Sequence, residues 1–342
     1  MIFVFVFQYQ ISLVLPIYNQ ERYLNNTLQS LLNQTYTDFE IICVDDKSTD
    51  DSISIIRSFM QSAPNIVLIQ NSENMGTFKT RFNGVIAARS QYIMQFDADD
   101  QFTSPTVLED LSKYLNQGVD IIHFSEYWFV NNQPVQIQEN KFARASVLNQ
   151  NWANPQIQFS NGKEIHNHFI YNRISNLVHG KIINKNIYLL AGGYMQNLKH
   201  IVYSDDYAIM YAITYFARSY QGIPEYFGYI YNLQNNSVVG NISAKTSKYI
   251  LDNKAIFEEI HTLMHSQRRP DFTMHQIEYR ETTQFFMKQM SAYDIHSKFK
   301  ICRSIHLWFL EDKYYQETVH DLCGIYPSWD QSQMICLPDD YY

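Results

Sequence analysis

QYIMQFDADDQ, residues 91–101, sets a short apolar run of Tyr92, Ile93, Met94 and Phe96 directly against three carboxylates, Asp97, Asp99 and Asp100. The run has the length and composition of a fully buried strand. Three carboxylates crowded at the end of such a strand repel one another and raise the pKa of the least solvated member unless a cation or several N–H donors offset the charge. Oxygen ligands of this kind suit Mg²⁺ or Mn²⁺, which take one or two protein carboxylates and complete their shell with substrate phosphates. The alternative is a solvated acidic turn ahead of a helix, with Ser104 and Pro105 at its N-cap and first position.

Working outward, the chain alternates strand-like and helix-like segments. Ile11 to Ile17 reads as a strand ended by Tyr18-Asn19, and Leu24, Leu28, Leu31 and Leu32 share one helical face. Phe39 to Val44 is a second strand, closed by Asp45-Asp46. Thr49 or Asp50 then caps a helix carrying Ile53, Ile56 and Met60. Ile66 to Ile69 is a third strand, and Gly76 opens a helix with Phe78, Phe82, Val85 and Ile86. Strands that are continuously apolar and separated by helices indicate an α/β fold with a mostly parallel sheet covered on both faces. Ligands bind beyond the carboxyl ends of such strands, so Asn19, Asp45-Asp46 and the Asp97–Asp100 run are expected to meet at one crevice.

Beyond Pro105 the reading gives a helix with Leu108, Leu111 and Leu115, a long strand from Val119 to Val130, and a Gln/Asn-rich surface excursion over 133–162. A helix follows, then an apolar segment around Ile182 to Leu190 ending at Gly192-Gly193. Asp205-Asp206 opens a further helix, Tyr226 to Tyr231 is a strand, and residues from 244 to the end are helical. The expected organisation is an N-terminal extension over 1–10, one α/β domain over 11–235 in two halves (11–118 and 119–235), and a helical region over 244–342.

At 342 residues and 46% hydrophobic content the chain is long enough for a sizeable core. A net charge of −8 excludes a general nucleic-acid binder, which needs clustered Lys and Arg. No run reaches 18 uncharged apolar residues, and MIFVFVF at the start lacks the features of a signal peptide. The cysteines Cys43, Cys302, Cys323 and Cys336 form no CxxC pair, a pattern suited to a reducing, cytoplasmic location.

ISLVLPIYNQERYLNNTLQSLLNQTYTDFEIICVDDKSTDDS, followed by ENMGTFKTRFNGVIAARSQYIMQFDADD, resembles the nucleotide-sugar-binding half of family 2 glycosyltransferases, which have the GT-A fold. The resemblance is strong over residues 11 to about 110 and weaker through about 232. It implies that Pro16, Tyr18 and Asn19 form the loop beneath the nucleotide base, that Asp46 accepts a hydrogen bond from the base, and that Arg81 lies near base and phosphates. The family usually has asparagine after that arginine; Phe82 stands there in this chain. Asp97-Ala98-Asp99 matches the DxD motif, which implies Asp97 near the ribose, Asp99 on Mn²⁺ or Mg²⁺, and Asp100 close by. A bound cation stabilises the charge that develops on a departing nucleoside diphosphate.

Inverting transfer also needs a base for the acceptor hydroxyl proton. The resemblance of SDDYAIMYAITYF to the family's acidic pair gives that role to Asp206, with Asp205 beside it; the plain alternative is two carboxylates favouring a helix N-terminus. Lys181 in HGK matches a basic position at acceptor or phosphate, and the adjacent His179 reads as structural. His261 and His265 are spaced as a helical metal pair but lack a third ligand, and Tyr127, Trp128 and Trp152 are candidate sugar platforms. The implied partners are a nucleotide-sugar donor, UDP-linked by preference, and a glycan or glycolipid acceptor. Peripheral membrane contact and homo-oligomer formation stay open, as do two other readings: a nucleotidyltransferase, disfavoured by the lack of a Gly-rich basic loop, and an inactive nucleotide-sugar-binding module.

Overall fold

The computed structural model describes residues 8–130, 133–134, 154–170, 173–198, 200–202 and 204–233, with 252, 255–256, 259–260 and 262–263. Residues 1–7, Trp152, His261, His265, three of the cysteines and nearly all of 244–342 lie outside the described residues. The chain divides into two units, Met1–Asn241 with Ala255–Leu263, and Ile242–Lys254 with Met264–Tyr342. The first unit holds the sheet and the helices that cover it.

In chain order its first half comprises β1 Tyr9–Ile17, α1 Leu24–Leu32, β2 Phe39–Asp45, α2 Ser52–Met60, β3 Ile66–Gln70, α3 Thr77–Ala87 and β4 Ser90–Gln95. There follow β5 Gln101–Phe102, α4 Val107–Leu115, β6 Ile121–Val130, β7 Gln133–Pro134, β8 Phe159–Asn161, α5 Lys163–Ile170, β9 Lys181–Asn184, α6 Lys185–Tyr194, α7 Asp205–Phe216 and β10 Ser219–Leu233. The strands form one sheet in the order β3-β2-β1-β4-β9-β6-β10-β5, with β7 on β6 and β8 on β10. β1 to β4 run parallel, as do β6 and β10, while β9 is antiparallel to both its neighbours and β5 to β10. This is the mostly parallel α/β sheet the strand pattern implied.

Every residue of β2 is buried, which is what a strand covered on both faces requires. On one face Leu13, Leu15, Ile41 and Cys43 pack with Leu24, Leu28 and Leu31 of α1 and Leu108 and Leu111 of α4. On the other, α3 lies so close to the sheet that a Cβ at Gly84 would stand 2.4 Å from Val14 Cγ1. Phe82 is accounted for by the same layer: its ring fills the space beside Gly192 of α6, where a Cβ would meet it at 2.1 Å. Gly192 and Gly193 therefore lie inside a helix that continues to Tyr194, where the sequence reading ended the segment. The helix after Pro105 begins at Val107 with Thr106 at its N-cap, two residues later than Pro105 at the first position would give.

Pro16 explains how the crevice opens. The β1–β4 ladder ends at Val14–Gln95, with a last bond from Phe96 N to Val14 O, while β1 stays paired to β2 through Ile17. Pro16 has no N–H to offer β4, so the two strands part there without losing a ladder bond.

Candidate active site

Asp46, at the end of β2, accepts hydrogen bonds from Asn71 Nδ2 (2.9 Å), Met75 N (2.8 Å) and Gly76 N (3.0 Å). It thereby fixes the turn that opens α3. Gly76 has φ +83°, and a Cβ on it would meet the His200 carbonyl carbon and Ile201 O at 2.7 Å, so only glycine lets the 200–201 segment cross so closely. His200 N also donates to Met75 O. Asn83 Nδ2 donates to Asn71 Oδ1, so an asparagine two residues after Arg81 serves this network. Asp45 accepts from Ser48 N, the local turn role. Tyr18 is half exposed, and Asn19, in the left-handed region at φ 55°, accepts from Thr49 N.

One turn into α3, Arg81 is buried among carboxylates. Its Nη2 donates to Asp97 Oδ1 at 2.8 Å, its Nε lies 3.4 Å from Asp205 Oδ2, and Nη2 lies 3.8 Å from Asp206 Oδ1. Only the first is a hydrogen bond; among the described residues Arg81 Nε and Nη1, Asp205 Oδ2 and Asp206 Oδ1 are buried without a hydrogen-bond partner. Burial works against the Arg81 charge, but Asp97, Asp206 and Asp205 outweigh it and keep the guanidinium protonated. Burial pushes the Asp205 carboxyl up to about 8, Asp206 adding to the rise and Arg81 opposing it. Burial raises Asp206 as well, against the pull of Arg81.

The acidic run is clamped from three sides. Tyr229 Oη accepts from Asp97 N and donates to Asp100 Oδ2 at 2.6 Å, Asn232 donates from its backbone to Asp100 Oδ1 and from its side chain to Asp99 O, and Thr27 of α1 donates to Ala98 O. Asp100, expected with the metal group, is thus fully buried with both oxygens bonded to β10. It holds the sheet edge instead of facing the crevice. Lys181, expected at acceptor or phosphate, is also fully buried and donates to Leu177 O, closing the turn before β9. Burial lowers its ammonium to about 7, opposed by Glu126 and Asp206.

Asp97 and Asp99 remain partly accessible. Burial and then the Asp97 carboxylate lift Asp99 to about 7, with His179 and Arg81 pulling the other way. Asp97, Asp205 and Asp206 share the one Arg81 guanidinium, and the lifted Asp99 marks an unmet demand for positive charge. Two hard oxygen donors in that setting fit Mg²⁺ or Mn²⁺. Among the described residues no three His, Cys, Asp or Glu side chains could hold an ion by themselves, which accords with a shell that phosphate oxygens complete.

The structure brings Arg81, Asp97, Asp205 and Asp206 into one neighbourhood; the sequence reading did not single out Tyr229, Asn232 or Glu126, which hold this region together. Tyr229 and Asn232 lie three apart on a strand, outside the alternation that marks a strand face. Trp128, weighed as a sugar platform, is buried and donates from Nε1 to Glu126 Oε1 at 2.6 Å. Tyr127 is half exposed and stacks on Phe227.

A parallel sheet that parts at β1 and β4, with paired carboxylates on both sides of the opening, defines a GT-A type fold. The model of glycosyl transferase family 2 matches residues 12–176 of this chain. Residues of the chain are 40% identical over 102 positions to poly(ribitol-phosphate) beta-glucosyltransferase of Bacillus spizizenii, covering 29% of this chain and 16% of that protein. They are 34% identical over 128 positions to a glycosyltransferase of Haemophilus influenzae, covering 37% and 51%. The chain thus spans at most about half the length of these relatives. Among solved structures, S. aureus TarS 1-349 in complex with UDP-GlcNAc shares the fold with a TM-score of 0.63 at 16% identity, over 86% of this chain and 80% of that one. The mannosyltransferase PcManGT of Pyrobaculum calidifontis in complex with GDP-Man and Mn²⁺ gives 0.50 at 14% identity, over 94% and 88%.

Proposed function

We propose that this chain is an inverting, divalent-cation-dependent glycosyltransferase that moves a sugar from a UDP-linked donor to a hydroxyl of a cell-surface glycan or lipid-linked acceptor. The observation that carries the reading is Arg81, whose one guanidinium reaches Asp97 of the donor motif and the Asp205–Asp206 pair of the acceptor side. Donor and acceptor chemistry are thereby held within one side chain's span.

In this reading Tyr18 and Asn19 border the base, and the remaining acceptor position of Asp46 Oδ2 takes a base N–H. Asp97 faces the ribose, and Asp99 holds Mn²⁺ or Mg²⁺ on the diphosphate. The cation supplies Lewis-acid stabilisation of the charge on the leaving diphosphate. Asp206 removes the proton from the acceptor hydroxyl as its oxygen bonds the anomeric carbon; the bond to the diphosphate breaks and its electron pair leaves with the nucleotide. The raised Asp206 carboxyl makes it a stronger base near neutral pH. Arg81 holds Asp205 and Asp206 in register with Asp97.

UDP is favoured because the structural neighbour of higher score is a UDP-GlcNAc complex, and Mn²⁺ because the other holds it with GDP-Man. The poly(ribitol-phosphate) relative supports a polymer acceptor in this reading. Among the described residues no helix is long and apolar enough to cross a membrane, and cytoplasmic work on a polymer or lipid-carried acceptor suits the reading. The test is a screen of the purified chain with Mn²⁺ against UDP- and GDP-sugars, reading nucleotide release. Release from a UDP-sugar supports the proposal; binding of UDP without turnover of any donor would favour the inactive binding module.

A further inference from the structure

The turn Asn74–Gly76 is gripped from two directions. From below, Asp46 accepts from Met75 N at 2.8 Å and from Gly76 N at 3.0 Å. From above, His200 N donates to Met75 O at 2.8 Å, and His200 Nδ1 lies 2.9 Å from Asn74 O. A carbonyl oxygen only accepts, so Nδ1 carries the proton of that bond. Met75 therefore has its N–H on the carboxylate at the end of β2 and its C=O on the segment that leads to α7.

His200 is itself in the left-handed region, at φ 57°, and so is Ser204, at φ 58°, immediately before Asp205. Residues other than glycine hold that conformation when their surroundings fix it. Ile201, between them, is buried and its carbonyl lies against Gly76. The same segment meets α3 a second time one turn deeper, where Arg81 Nε lies 3.4 Å from Asp205 Oδ2. The base turn, the first turns of α3 and the approach to α7 thus form a closed ring of contacts: Gly76 to Arg81 along the helix, Arg81 to Asp205, and His200 back to the turn. Coupling between two sites needs such a continuous set of packed and hydrogen-bonded groups.

We propose that His200 is a positioning residue that couples the nucleotide-base subsite to the acidic pair. A base seated on Asp46 tightens the Asn74–Gly76 turn, and His200 passes that constraint to the N-terminus of α7, placing Asp205 and Asp206 when the donor is bound. The inference rests on the glycosyltransferase reading above and adds to it a dependence of the acceptor side on donor occupancy.

The test compares wild type, His200→Gly and His200→Asn as full chains. Glycine keeps the left-handed backbone and removes the side-chain donor; asparagine tolerates positive φ and carries an N–H on Cγ, as the imidazole does. His200 is exposed, so neither change opens the core. By titration calorimetry His200→Gly should bind UDP within about twofold of wild type, while kcat with a UDP-sugar falls by about three- to tenfold, the worth of one hydrogen bond. His200→Asn should restore kcat. In amide hydrogen exchange UDP should slow residues 74–80 and 205–208 of wild type, but only 74–80 of His200→Gly. Unchanged kcat in His200→Gly, no recovery in His200→Asn, or equal slowing at 205–208 in wild type and His200→Gly would overturn the coupling. A wild type that binds no UDP would overturn the glycosyltransferase reading and the coupling with it. One that binds UDP and turns over no donor would overturn transfer alone, and exchange at 205–208 would still decide the role of His200.

Discussion

Replacing Arg81 by methionine keeps an unbranched side chain of similar reach and removes the cation that Asp97, Asp205 and Asp206 share. Arg81 is 6% exposed, so its carboxylates would be left desolvated and mutually repulsive. Breaking a buried ion pair from one side costs about 3–5 kcal/mol. That loss should appear in full at pH 8 and shrink at pH 6. Asp205 has its carboxyl raised in the folded state, to about 8, and Asp206 is raised with it. A raised carboxyl contributes stability that is complete below its unfolded value and disappears as pH rises through its folded value. Without Arg81 the folded values move higher still, so the variant takes up protons that wild type does not. Each such proton recovers about 1.4 kcal/mol per pH unit, or up to about 2.7 kcal/mol between pH 8 and 6. Urea unfolding followed by fluorescence, which the buried Trp128 should report, measures both losses. A midpoint equal to wild type at pH 8, or the same loss at both pH values, would refute the shared-cation account.

Asp206→Asn should bind UDP as wild type does and lower turnover by roughly 10²–10⁴-fold, the usual worth of a positioned base; comparable losses in binding and turnover would argue against the role. Asp99→Ala should unfold at the wild-type temperature yet lose the Mn²⁺ dependence of UDP binding, and full activity in that variant would contradict its place at the cation. Gly76→Ala should destabilise by about 1–3 kcal/mol from backbone strain alone. Because its Cβ would push on the 200–201 segment that leads to Asp205, kcat should fall as well, and a variant with normal melting temperature and kcat would remove that link.

The parallel half of the sheet was readable because covered strands leave unbroken apolar runs, as in Ile11–Ile17 and Phe39–Val44, and because Leu24, Leu28 and Leu31 repeat at helical spacing. Gly192 misled because its function is close contact with Phe82, which no local pattern encodes. The acidic pairs were legible as residues but not as geometry. Asp97, Asp100, Asp205 and Asp206 look alike in sequence, yet Asp100 turns to Tyr229 and Asn232 while the others turn to Arg81. What separates them is a strand more than a hundred residues away from the acidic run. Lys181 and His179 show the same limit: a basic residue in HGK suggested a ligand contact, but the lysine closes a turn and the neighbouring histidine pairs with Glu126.

The measurement that reaches the central claim most directly is a crystal structure of the chain with UDP and Mn²⁺, with the metal located by its anomalous signal. The account predicts one Mn²⁺ peak between the diphosphate and Asp99, and Asp206 facing the open side of the same crevice. UDP bound away from Asp97 and Arg81, or Mn²⁺ remote from Asp99, would contradict it.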